Sequence, residues 1–552
     1  MVRAGFSWMA AAWVGLWAAC RLSCAQTISD EEAARFLIQA SFGPNRASIA
    51  DLQERGYVGW LQHQMALPYV SAGDRIDASR KVRERKQTDE LIDLFWEEAL
   101  YGEDQLRQRM RFALSQIVVA SLDDTITRRA FPAYLDYVDV LGEEALGNYC
   151  TLIRRVSFQP TMAIYLTFYK NQKTDEERGV VPDENYAREI MQLFTIGLEE
   201  LEIDGTPTGV PTYDQDDVSE LAAVFTGLAL PGEDFGLSRR KARPFRGTLI
   251  GFPDYHEASE KRVLGAVIGP GSDPVASVNQ ALDHLLSHPN VAPFVVKQLI
   301  QRFVSSNPSP AYVERVARVF NEGQYTAEGG VTFGFGERCD LEATTAAILL
   351  DPEARQKPDR DEAARGKVRE PIIRAIHIFR ALSADHQVGE RGVVPDLGEL
   401  HRPNDAWARQ VPFHSPTVFN FYRPSYVRPG SNAEAEGAVA PETQIMTATH
   451  FAAQTVWAGR CAVLMGCQTI ELPRSDLGHY LSAAGRPGRL VDMIDLYLTA
   501  GTLPKATRNR IVNALWTIDQ QPNNRQRHDP QSRRVALAFD MVTTSPEFMV
   551  QR

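Results

Sequence analysis

The segment PDENYAREIMQLFTIG, residues 182–197, holds the side chains a ligand site would use: the amides of Asn185 and Gln192, the cation of Arg188 and the carboxylate of Glu189. These four fall at i, i+3, i+4 and i+7, so one helix carries them on a single stripe. Tyr186, Ile190, Leu193, Phe194 and Gly197 form an apolar stripe beside it. Pro182, Asp183 and Glu184 suit the start of that helix, and Gly197 suits its end. Periodicity alone describes an amphipathic helix with a solvated face. As chemistry, the same stripe offers Glu189 as acid or base and Arg188 as the holder of an anionic group.

Other segments add candidates. His256 and Glu257 lie together in YHEASEKRVLG, with Lys261 four residues beyond Glu257. A histidine beside a carboxylate can act as a general base, and the structural alternative is a polar loop tied down by Lys261. In FHSPTVFNFYRPSYVRPG, 413–430, aromatic rings alternate with His414, Ser415, Asn420, Tyr422 and Arg423. Stacking faces beside directional hydrogen-bonding groups suit a sugar ring, and they equally suit a loop whose aromatics fill a core. His284 and His288 have i, i+4 spacing without the Glu of a zinc motif, and His288-Pro289 reads as a helix end. Asp214, Asp216 and Asp217 lack calcium-loop spacing, so one of them reads as a helix cap. No nucleophile elbow, P-loop or dinucleotide fingerprint occurs, and no metal or cofactor is predicted.

Helical periodicity must position these groups. Ser29-Asp30-Glu31-Glu32 reads as a capping box, and Asp89 to Ser121 as one or two long helices. Later helices are expected near 216–229, 276–288, 291–304, 310–321, 338–350 and 368–383. The fold expected is mainly α: packed helical subdomains with long ordered loops and at most a small β-hairpin near 245–255. The organisation predicted is a signal peptide over 1–25, a subdomain over 26–230 and another over 231–384. A Pro/Gly-rich aromatic loop over 385–440 and a helical region over 441–552 complete it. The Arg-rich stretch 231–247 reads as a solvated loop.

Arg3, an apolar run from Ala4 to Cys20, and Ser23-Cys24-Ala25 make the signal peptide, cut after Ala25. Cleavage removes Arg3 and Arg21 from 59 basic residues and none of the 70 acids, moving the net charge from −11 to −13. An acidic chain without a later membrane-length apolar run is not expected to bind nucleic acid or to hold an integral membrane segment. The expected location is periplasmic or extracellular. Cys461 and Cys467 are close enough to staple a local loop, which leaves Cys150 to pair with Cys339.

Taken together, PDENYAREIMQLFTIG, ARFLIQASFGPNRASIADLQERGYVGWLQHQM, LIRRVSFQPTMAIYLTFYKNQK, TYDQDDVSELAAVFTGL, KVREP, SPTVFNFYRPSYVRPG and TTSPEFMVQR resemble a bacterial family known as domain of unknown function 1800. The resemblance covers almost all of 29–552. It implies an exported, mostly helical protein, often encoded beside a secreted sulfatase-like or phosphatase-like protein that is a candidate partner. It also raises the standing of Asn185, Tyr186, Arg188, Glu189 and Gln192. The chain departs from the family pattern at Phe112, Ala113 and Leu114, where many members carry an aromatic–histidine cluster. It departs again at Gly227-Leu228, where Gly-Trp is usual.

Two functions follow. In the first, the protein is a helical binding or assembly protein for a glycan or an exported partner, with ligand contacts from Asn185, Tyr186, Arg188, Gln192, Lys261, Asn420, Tyr422 and Arg423. In the second, it is an extracytoplasmic hydrolase or lyase of polysaccharide, using Glu189, His256 and His414 as acid, base or ligand groups.

Overall fold

The computed structural model describes residues 28–80, 87–235, 246–356, 366–382, 410–447, 477–520 and 530–552. The segment expected to be a signal peptide, Cys461, Cys467 and the run from Arg239 to Arg243 lie outside these residues. Helices dominate, and the β structure is limited to short two-stranded antiparallel pairs. Among the described residues there are five such pairs, spread more widely than the one hairpin expected near 245–255. Ile250–Gly251 is a strand within that range, but its partner is Leu228–Ala229, about twenty residues earlier, and not a neighbour inside 245–255.

Local rules place the helices. Ser29 and Glu32 cap the helix Asp30–Ala40 reciprocally, as the capping box predicts. The stretch from Asp89 to Ser121, expected as one or two long helices, forms two, Gln87–Tyr101 and Gln105–Ser115. Phe112, Ala113 and Leu114 are buried in the second of these, so the positions that depart from the family pattern serve the core. Asp214 caps Gln215–Val224 by accepting from the backbones of Asp216 and Asp217, while Asp217 accepts from Asp214 N. Two of the three aspartates are thereby committed to the helix end.

One contiguous apolar core draws residues from Ala33 to Phe548. The chain start meets the chain end: Asp30–Ala40 packs on Arg46–Ala66 and on Pro487–Thr499. Val550–Gln551 pairs with Lys367–Val368. Val291–Phe303, Pro310–Glu322 and Leu341–Leu350 stack on one another. The described part of the aromatic loop seats Phe413 edge-on against Phe95 and Tyr134, with centroids 6.1 Å from each.

The motif helix changes pitch. Asn185–Glu189 is α-helical, and Ile190–Thr195 widens into a π turn. Ile196 N and Gly197 N both reach Met191 O at 3.0 Å, and Thr195 Oγ1 donates to Ile190 O at 2.6 Å. Gly197 then turns the chain at φ +75°, where a Cβ would stand 2.7 Å from the Phe294 ring. A π turn inside a helix re-aims the flanking side chains and recurs at functional positions.

Candidate functional site

The motif helix divides its polar residues between core and surface. Tyr186 is inside: its hydroxyl lies 2.7 Å from Ser157 Oγ, and its ring stacks on Phe168 at 4.3 Å. Asn185 closes the helix start, its backbone N–H donating to Asp183 Oδ1 and its amide to Thr167 Oγ1. Arg188 is half-exposed and donates to Glu184 Oε2 at 3.0 Å and to Gln215 Oε1 at 3.2 Å. Gln215 and Ser219 also donate to Glu184, and these bonds, with Arg188 behind them, hold its carboxyl below the ordinary range. Gln192 is half-buried within the π turn.

Glu189 differs from the rest. It is only 7% exposed, and its Oε2 has no hydrogen-bond partner. Burial pushes its carboxyl up, with Arg188 opposing the shift. Two half-buried tyrosines share its field. Tyr213 is pushed up by burial, with Arg188 lowering and Glu189 raising it. Tyr165, at the end of the helix Pro160–Tyr165, is pushed up by burial and then by Asp124, Glu189 and Asp123.

Asp123 joins this group to the aromatic loop. It accepts a hydrogen bond from His414 Nδ1 at 2.8 Å. With Nδ1 donating there, Nε2 is the remaining ring nitrogen; it is enclosed and has no partner. The loop is held in place by backbone: Leu122 N donates to Phe413 O at 2.9 Å, and Ser121 Oγ to Ser415 O at 2.7 Å. Ser415 Oγ in turn donates to Asn420 Oδ1 at 3.1 Å, while Asn420 Nδ2 is enclosed without a partner. Asn420 sits at φ +63°, a left-handed conformation that Asn tolerates better than most residues. Glu189 and Asp123 are thus both within electrostatic reach of Tyr165, and Asp123 is hydrogen-bonded to His414, with Asn420 further along the same loop.

Other candidates are placed elsewhere. His256, read above as a catalytic group, is 2% exposed and uses both ring nitrogens internally. Nδ1 donates to Thr226 O at 2.9 Å, and Nε2 accepts from Ser277 Oγ at 3.1 Å. Burial pulls its pKa down, so it is a neutral pin between two segments. Lys261, read as a ligand contact, is fully buried with Nζ on the carbonyls of Glu257 and Ser259 at 2.5 and 3.0 Å. The tie to Glu257 runs through its backbone, not its carboxylate. Tyr422 is also a core residue: its hydroxyl takes a bond from Arg302, whose guanidinium lies 4.7 Å from the ring centroid. Arg423 is exposed over the Phe419 ring at 4.9 Å. His284 Nε2 meets Leu264 O, and His288 ends the helix Pro274–Ser287. Among the described residues no group of three His, Cys, Asp or Glu is arranged to hold a metal.

His256 supplies a first prediction. His256→Ala leaves Thr226 and Ser277 without their partner inside the protein, at a cost of about 1–3 kcal/mol for each unsatisfied buried group. Chemical denaturation should show the lower midpoint, while any binding at the Glu189 face should be unchanged. Because the folded pKa is lowered, the stability linked to His256 is present above the ordinary histidine value and is lost as pH falls below it.

Asp123 and Tyr165, with Tyr213 near Glu189, are the residues here that the sequence patterns do not single out. Comparison with known proteins adds a family assignment. A family model described as protein of unknown function (DUF1800) matches residues 35–550. No curated protein and no solved structure matches the chain.

Proposed function

This chain belongs to DUF1800, a family of proteins of unknown function, and from its own residues we propose that it is an exported protein that binds a glycan on the Tyr165–Glu189–His414 face. The observation that carries the reading is Glu189: a buried carboxyl with a raised pKa, an unpartnered oxygen and two half-buried tyrosines in its field. A carboxyl accepts from a sugar hydroxyl in either state and can also donate to one while it holds its proton, which a raised pKa extends to higher pH. Tyrosine faces pack against the C–H faces of sugar rings while their hydroxyls stay available. Export is supported by the Cys150–Cys339 disulfide together with the leader-like N-terminus. No helix of the described residues is long and apolar enough to cross a membrane.

A second reading, a polysaccharide hydrolase or lyase, is favoured by the Asp123–His414 hydrogen bond. A carboxylate that fixes an imidazole and leaves its Nε2 unused is the arrangement of an oriented base, and Glu189 would be the matching acid. The two readings separate in one assay. Binding to a polysaccharide panel without new reducing ends or unsaturated products is the outcome for a binding protein; chain cleavage is the outcome for an enzyme.

Glu189→Ala should weaken glycan binding by about tenfold or more, equivalent to roughly 1.4 kcal/mol. Glu189→Gln, which keeps a donor and an acceptor, should retain most of the affinity. Affinity should fall as pH rises through the raised Glu189 pKa, because the donor proton is lost there. Titration calorimetry across pH reads all three outcomes. Equal affinity in wild type and Glu189→Ala would remove the basis of the proposal.

A further inference from the structure

A separate cleft of about 360 Å³ lies where the start and the end of the chain meet. The helix Asp30–Ala40 contributes Glu31 and Arg35, the end of Pro487–Thr499 and the turn after it contribute Thr499 and Thr502, and Arg369, Glu547 and Arg552 complete the polar wall. Its lining shares no residue with the Glu189 face. Its volume falls in the lower part of the range of small-molecule sites, about 300–1,000 Å³.

Its charges are unusually placed. Arg369 is 97% buried, the complement of its 3% exposure. Its Nη1 donates to His377 Nδ1 at 2.8 Å and to Leu498 O at 3.1 Å, while its Nε has no partner. Glu547 Oε2 is enclosed without a partner, and so is Arg35 Nε. Arg369 and Glu547 therefore line one cleft, opposite in sign, without forming an ion pair with each other. An enclosed polar atom left this way costs stability, about 1–3 kcal/mol at the buried Arg369 and less at the half-exposed Glu547 and Arg35. A ligand that meets both signs at once recovers that cost. A simple anion would satisfy Arg35, Arg369 and Arg552 but offer nothing to the carboxylates of Glu547 and Glu31.

We propose that this cleft binds a free α-amino acid, its carboxylate on Arg369 and Arg35 and its ammonium on Glu547 and Glu31. Ile38, Pro546 and Val550 form the apolar wall beside those charges and receive the side chain. Such a ligand would tie the first helix to the C-terminal strand, and so would stabilise the closure of the fold by mass action.

The test uses the full chain and the standard α-amino acids as probes in thermal-shift and calorimetric titration. The expected result is that at least one free amino acid raises the unfolding midpoint. Its N-acetylated and carboxamide forms, each lacking one charge, should not. Glu547→Gln should cut the affinity by about tenfold or more, and its own unliganded midpoint reports that the variant folds. Should that variant fail to fold, Glu31→Gln, at an exposed position, should weaken the same titration several-fold. No shift with any amino acid, equal shifts with the N-acetylated forms, or unchanged affinity in the carboxylate variants would each overturn the proposal. Glu189→Ala should leave this titration unchanged, so the two sites are tested apart.

Discussion

Glu370→Ala is expected to cost about 3–5 kcal/mol of stability, the range for breaking a buried ionic network by removing one partner. Glu370 stands just ahead of the helix Pro371–Leu382 and is fully buried. Its Oε2 accepts from Gln116 Nε2 at 2.6 Å and Gln410 Nε2 at 2.5 Å. Lys367 Nζ lies 3.8 Å from Glu370 and 3.3 Å from Glu442, and donates to Arg302 O at 2.9 Å. Arg109 Nη2 reaches the same carbonyl at 2.6 Å. Burial works to raise the Glu370 pKa, yet Lys367, Arg302 and Arg109 outweigh it and hold the carboxyl below the ordinary range. Removing Glu370 leaves three buried cations with Glu442 alone for balance, and Glu442 is itself pushed up by burial. A urea unfolding midpoint measures the loss. The sign with pH follows: the folded pKa is lowered, so this stabilisation is present above the usual glutamate value and is lost as pH falls through the folded one.

Replacing Cys150 and Cys339 together by Ala is expected to cost about 2–5 kcal/mol. Their disulfide spans 189 residues of sequence, with Cα atoms 5.7 Å apart. Closing so long a loop removes much of the freedom of the unfolded chain, and the entropy model puts its effect near the top of that range. Hydrogen bonds hold the same junction beside it. Tyr149 N donates to Cys339 O, Leu341 N to Gly147 O, and Asn148 Nδ2 to Arg338 O, all at 2.8–2.9 Å. The double variant should therefore keep its helical circular dichroism while its denaturation midpoint falls, and reductant should lower the wild type to the same value. A further drop of the double variant in reductant would report a second disulfide, the Cys461–Cys467 pair expected from sequence.

How much of this was readable beforehand depends on the distance over which each signal acts. The helices Val291–Phe303, Pro310–Glu322 and Leu341–Leu350 lie within a few residues of their expected ranges, because caps and apolar stripes are local. The stripe carrying Arg188 and Glu189 is local too. The π turn at Ile190–Thr195 is not, since a 3.6-residue period is assumed in finding the stripe at all. Asp123 sits in an unpatterned turn, and its partner His414 is 291 positions later, so nothing nearby marks it. Tyr165 lies in an apolar run that reads as core. Tyr422 shows the opposite failure: an aromatic among polar residues suits a ligand or a core equally, and only the buried Arg302 beneath it decides. His256 and Lys261 fail in the same way, their polarity being spent on carbonyls and hydroxyls that only the folded chain supplies.

Hydrogen–deuterium exchange of the full chain, with and without a soluble polysaccharide pool, tests the central claim most directly. Binding at the proposed face should slow exchange in the segments holding Asp123, Tyr165, Glu189, Tyr213 and His414 together, and Glu189→Ala should abolish that protection. Protection confined to other segments, or protection at these ones that persists in Glu189→Ala, would contradict the assignment of this face as the functional site.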